Sequence, residues 1–176
     1  MVEVQLAAVK VDMRTNTPVV LLQEAEGARR TLPIFIGLPE ATAIALAMQG
    51  EKAERPMTHD LMKNLLELLS ADLVRVVVTE LRELDGSSDK VYFAELHLLC
   101  QGQVLTLSSR PSDAIALAAR TGSQLFVAEE VLDAEGLVLQ NEEDDEEGGE
   151  AETSPEETLE QFREFLSRVR PEDFQA

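Results

Sequence analysis

Ser109-Arg110-Pro111-Ser112-Asp113-Ala114-Ile115-Ala116-Leu117-Ala118-Ala119-Arg120 is the stretch from which an interior can be located. From 114 to 119 no side chain is polar, so a helix built from these residues is apolar on every side and has to be enclosed. Pro111, with its fixed φ and missing N–H, suits the first turn of that helix. Arg110, Ser112 and Asp113 stand at its entrance. Charge gathered at the mouth of an apolar helix makes this the first place to look for a site.

The design occurs a second time. Ala43-Ile44-Ala45-Leu46-Ala47 repeats Ala114-Ile115-Ala116-Leu117-Ala118 letter for letter, and each copy follows an apolar strand-like run and a turn. In the first copy the turn is Gly37-Leu38-Pro39-Glu40; in the second it is the segment 108–111. The repeat predicts a duplicated strand-turn-helix unit.

Between and around these units the apolar pattern alternates as strands do. Residues 2–12, 18–24 and 30–36 predict a three-strand meander leading into a first helix over 39–49, which stops at Gly50. Thr58 reads as the N-cap of a second helix, with Asp60 in its first turn. Leu61, Leu65, Leu68 and Leu69 give that helix an apolar face. Residues 73–81 return to strand, with Val74, Val76 and Val78 on one side. A hairpin-like loop at 85–89 leads to a partner strand over 91–99, which puts Glu95 and His97 on one face. A short strand to Leu107, the opening helix to Gly122, a last strand at 124–127 and a helical turn at 129–132 complete the fold. The expected class is α+β: a mixed or antiparallel sheet with two buried apolar helices and a third, amphipathic helix.

The chain has 176 residues, enough for one well-buried domain and short for two. Its mean hydropathy of -0.09, with no apolar run near membrane-spanning length, predicts a protein without a membrane span. The start of the sequence has no basic segment followed by an apolar core, so no secretory signal is read there. The single cysteine, Cys100, fits a reducing cytoplasm and reads as a structural thiol. The formal charge is -19, of which -11 falls on residues 141–176, with 14 acidic and 3 basic side chains. The remaining 20 acidic and 12 basic residues leave -8 on residues 1–140. That is not the strong basic footprint of salt-sensitive nucleic-acid binding. Residues 140–153 read as a disordered acidic linker after a domain over 1–139. Over 154–176, Ser154-Pro155-Glu156-Glu157 predicts a capped helix with Leu159, Phe162, Leu166 and Val169 as its stripe.

The chemistry-bearing residues admit two readings at each place. Arg110, Ser112 and Asp113 can form an anion site at a helix N-terminus, or a serine can cap the helix while Asp113 pairs with Arg110 or Arg120. His59, beside Asp60 and Arg55, can act as a general base or metal ligand oriented by a carboxylate, or be a surface histidine. Glu40 is the counterpart of Asp113 at the other apolar helix, and Glu95 with His97 reads as a solvated face. Phosphate loops, dinucleotide fingerprints, zinc motifs and nucleophile elbows are absent from the sequence. What remains is a kit of carboxylates, histidines and arginines.

Three motifs in order carry a resemblance: Ile36-Gly37 with Glu40-Ala41, Arg55-Pro56-x-Thr58-His59-Asp60-Leu61, and Arg110-Pro111-Ser112-Asp113-Ala114-Ile115-Ala116-Leu117-Ala118. Together, over roughly residues 1–135, they resemble the bifunctional nuclease family. The resemblance implies a compact α+β domain, a homo-oligomer (dimer or trimer), and cleavage of DNA and RNA. On it, Glu40, Asp60 and Asp113 become candidate catalytic carboxylates and ligands for Mg²⁺ or Mn²⁺. His59 becomes the group that handles a proton, and Arg55, Arg110 and Ser112 the groups that meet substrate. The non-catalytic alternative is an oligomeric binding or regulatory module in which the same residues form structural ion pairs. This chain has Ser108 where many relatives carry an acidic residue, which bears on any metal dependence.

Overall fold

The computed structural model describes residues 1–51, 53–83 and 90–138. The expected loop at 85–89, the linker and the C-terminal helix lie outside the described residues. The elements run in the order β1 (Val2–Asp12), β2 (Thr17–Glu24), β3 (Arg30–Phe35), α1 (Leu38–Met48), α2 (Thr58–Leu68), β4 (Ala71–Glu83), β5 (Lys90–Cys100), β6 (Gln103–Ser109), α3 (Pro111–Thr121), β7 (Gln124–Val127), α4 (Glu129–Glu135) and β8 (Leu137–Val138). The fold is α+β with a mixed sheet.

The eight strands form one sheet in the order β6-β5-β4-β7-β1-β2-β3-β8. Two similar halves are visible in that order. β1-β2-β3 is an antiparallel meander followed by α1, and β4-β5-β6 is an antiparallel meander followed by α3. Short β7 joins the two, antiparallel to β1 and parallel to β4, the one parallel pairing among the described strands. The repeated apolar pentapeptide therefore falls at equivalent points of the two halves. The β5–β6 turn has positive φ at both Gln101 and Gly102, the mirror-image turn that matches the twist of a two-residue hairpin.

Register fixes which residues share a face, because directly opposed residues point the same way. Val20, Leu22, Leu32, Ile34, Val76, Val78, Ala94 and Leu96 share one face and are buried under the helices. α3 is the enclosed helix, with Ala114 and Ile115 fully buried and Leu117 1% exposed. Burying the Ile115 and Leu117 side chains stabilises by about 1.5–3 kcal/mol each. Gly122 ends α3 in the left-handed conformation, with its N–H bonded to Ala118 O. α1 is covered on one side only: Ala41, Ala43 and Ile44 are buried, while Met48 is 44% exposed.

Three local expectations are corrected. Leu61, Leu65, Leu68 and Leu69 of α2 face solvent, at 54%, 46%, 79% and 64% exposure. The helix is turned by its first residues, so His59 is buried and Met62 and Leu66 are half-buried instead. Its N-cap is Met57, not Thr58, and the Met57 N–H is held by Asp60 Oδ2 at 2.9 Å. Val74 sits at a bulge in β4 and is exposed, apart from Val76 and Val78. β8 went unforeseen; it pairs with β3 at Arg30 and Thr31.

Candidate functional site

Each of the three longer helices carries an acidic residue at its third position: Glu40 in α1, Asp60 in α2 and Asp113 in α3. A carboxylate in the first turn offsets the positive end of the helix dipole. α1 and α2 both pack against α3, and the start of α3 meets the first turn of α1 through Arg110 and Glu40 and that of α2 through Asp113 and His59.

Arg110, the residue preceding α3, links two of the carboxylates. Its Nε–H donates to Asp113 Oδ2 at 2.7 Å and an Nη2–H donates to Asp113 Oδ1 at 3.0 Å. Nη2 also lies 2.9 Å from Glu40 Oε1. His59 Nε2 is 3.3 Å from Asp113 Oδ1. An ionised carboxylate accepts, so Nε2–H is the donor in this contact, and in the neutral form of the ring Nδ1 is then the acceptor. The result is a relay Glu40–Arg110–Asp113–His59. It spans from a guanidinium 66% exposed to an imidazole 8% exposed.

Asp60 belongs to a separate clasp, held by a buried arginine. Arg120 Nε–H donates to Asp60 Oδ1 at 2.6 Å, and Nη1 donates to Ala43 O at 3.0 Å and Ala116 O at 2.9 Å. With its side chain only 8% exposed, Arg120 ties α1, α2 and α3 together.

The electrostatics follow from these contacts. Burial pushes the Asp113 carboxyl up, but Arg110 and His59 together bring it below the ordinary aspartate value. Arg120 first, then the Met57 N–H, hold Asp60 below its ordinary value as well. Arg110 is raised, chiefly by Asp113. Gly37 makes room for Glu40: a Cβ there would collide with the Glu40 carboxylate.

The structure thus unites Glu40, Arg110, Asp113 and His59, and sets Asp60 on the neighbouring clasp. Ser112 is buried within α3, 6% exposed. Arg55 is exposed and has no ion pair among the described residues. No side chain caps α3; of the two partners weighed for Asp113, Arg110 takes it, and Arg120 takes Asp60. Arg120 is the residue the sequence reading undervalued, although a lone charge ending an apolar helix needs a buried partner.

Both oxygens of Asp113 and both of Asp60 already accept hydrogen bonds. A divalent ion between Glu40 and Asp113 would have to displace Arg110, so this donor set does not fit a metal as it stands. Among the described residues no group of three or more His, Cys, Asp or Glu could hold one. Ser108 lies opposite Glu95, on the sheet face away from the helices, so a carboxylate at that position would not look toward the helix entrances. His97 and Glu95 share that face, 3.4 Å apart. No helix among the described residues is long and apolar enough to cross a membrane.

The bifunctional nuclease domain matches residues 20–140 of this chain. Two uncharacterized proteins from two strains of Mycobacterium tuberculosis are each 39% identical over 175 residues, covering 99% of this chain and 98% of theirs.

Proposed function

We propose, because this chain belongs to the bifunctional nuclease domain family, that its folded unit hydrolyses phosphodiester bonds of DNA or RNA at the Glu40–Arg110–Asp113–His59 relay. The single observation that carries the reading is the buried histidine held by a carboxylate beside an exposed arginine. Asp113 orients the His59 ring, whose Nδ1 has no hydrogen-bond partner among the described residues and can take a proton from water. Arg110, with Arg55 on the segment before α2, meets the phosphate and the charge that develops on it. The clasp of Asp60 and Arg120 positions His59 and does not touch substrate. A cytoplasmic setting is part of this reading and rests on the lone cysteine.

The test is cleavage of single-stranded DNA and RNA by purified protein, with and without EDTA, alongside Asp113→Asn. The expected result is cleavage that survives EDTA and is lost in Asp113→Asn. Cleavage abolished by EDTA would return Mg²⁺ or Mn²⁺ to Glu40, Asp60 and Asp113 and overturn the metal-free reading.

A second reading is favoured by a different observation: every carboxylate at the site already has its arginine. On it the domain is a non-catalytic binding or regulatory module, and the relay, like the clasp, holds the helix entrances together. Binding of single-stranded nucleic acid without turnover, unchanged in Asp113→Asn, would select it.

A further inference from the structure

β6 is an edge of the sheet, with no strand beyond it among the described residues. It is exposed along its length, with Val104 at 63%, Leu105 at 50% and Leu107 at 54%. Leu107 opposes Leu96 and Leu105 opposes Leu98, so both leucines lie on the face that α3 covers further in. The helix layer does not reach them. The outer margin of a strand presents unpaired N–H and C=O groups, which proteins usually guard with charge, proline, a bulge or brevity. Gln103-Val104-Leu105-Thr106-Leu107-Ser108-Ser109 has no charged residue, no proline and no break in register with β5. The opposite edge, β8, is guarded by brevity, with two residues.

We infer that β6 is an interface between two copies of this chain, paired edge to edge and antiparallel about Thr106. The pattern of the strand selects a second copy as the occupant, because the strand is its own complement. With Thr106 opposite Thr106 of the second copy, Leu105 falls opposite the second copy's Leu107, and Leu107 opposite its Leu105. Four leucines then form one apolar cluster on the helix-side face. This is the isologous pattern a two-fold axis requires, and cross-strand pairs of this kind are the unit of sheet stabilisation. The pairing joins two sheets into one and sets Ser109 beside the second copy's Gln103, one residue from Arg110.

The register is testable by cross-linking in full-length chain with Cys100→Ser. At a self-opposed position the Cα atoms are about 4.5–5.5 Å apart, within disulfide reach. Thr106→Cys should therefore give a covalent dimer under mild oxidation. Val104→Cys should not, because it opposes residue 108 and lies about 13 Å from its own copy. In sedimentation, Leu105→Lys with Leu107→Lys should halve the mass of the unmodified protein with its circular dichroism unchanged. Monomeric wild-type protein, cross-linking as fast at 104 as at 106, or a mass insensitive to both lysines would overturn the inference.

Discussion

Truncating Arg120 should unfold the domain far more readily than truncating the equally charged Arg110. Arg120→Met removes a guanidinium 8% exposed that serves Asp60, Ala43 O and Ala116 O. Breaking a fully buried ion pair costs about 3–5 kcal/mol. Asp60 keeps 34% of its side chain in water, and the bare carboxylate can recover part of its hydration. Discounted for that, the expected loss is about 2–3 kcal/mol, a fall of roughly 4–12 °C in midpoint for a domain of this size. Arg110→Met removes a guanidinium 66% exposed and should cost less than about 1 kcal/mol. With one tyrosine and no tryptophan in the chain, urea unfolding is best followed by circular dichroism. A cycle with Asp60→Ala isolates the pair. Equal losses for the two arginines, or Arg120→Met and Asp60→Ala adding to within about 0.5 kcal/mol, would refute the division into a clasp held by a buried arginine and a relay held by an exposed one.

Acid should weaken both the clasp and the relay. Asp60 and Asp113 titrate below their ordinary values in the folded chain, so their contribution is complete above roughly pH 4 and is lost as pH falls through the depressed values. Urea midpoints measured from pH 7 to pH 3 should fall in the acid range, less steeply in Asp60→Asn; a rise on acidification would contradict the assignment. Gly37→Ala meets no backbone conflict at φ -73°, but its methyl strikes the Glu40 carboxylate. Cleavage should drop with little change in the urea midpoint, and unchanged cleavage would remove Glu40 from the relay.

Much of this arrangement is written locally in the chain. The apolar run 114–119 admits no exposed side, and α3 is accordingly enclosed. Strand alternation in β1 and β5 and the branched apolar run of β2 are local signals, and so are the acidic residues in each helix's first turn. The orientation of α2 is not local. Its leucines form the more apolar stripe, yet hydrogen bonds from His59 and Asp60 to residues 54 and 60 positions away turn the other side inward. Likewise, nothing near Arg120 in sequence distinguishes Asp60 from Asp113 as its partner. That choice depends on how α2 crosses α3. The insertion of β7 between the two meanders is also a product of tertiary pairing, since a four-residue strand with three apolar side chains carries no address.

The most direct measurement is the turnover of a fluorescent single-stranded substrate by His59→Gln, at a temperature where its circular dichroism matches that of the unaltered protein. A neutral amide of similar reach can keep the contact to Asp113 but cannot accept a proton from water. The account predicts kcat lower by about 10²–10⁴, the usual worth of a positioned acid–base group. A folded His59→Gln that turns over at the unaltered rate would contradict it.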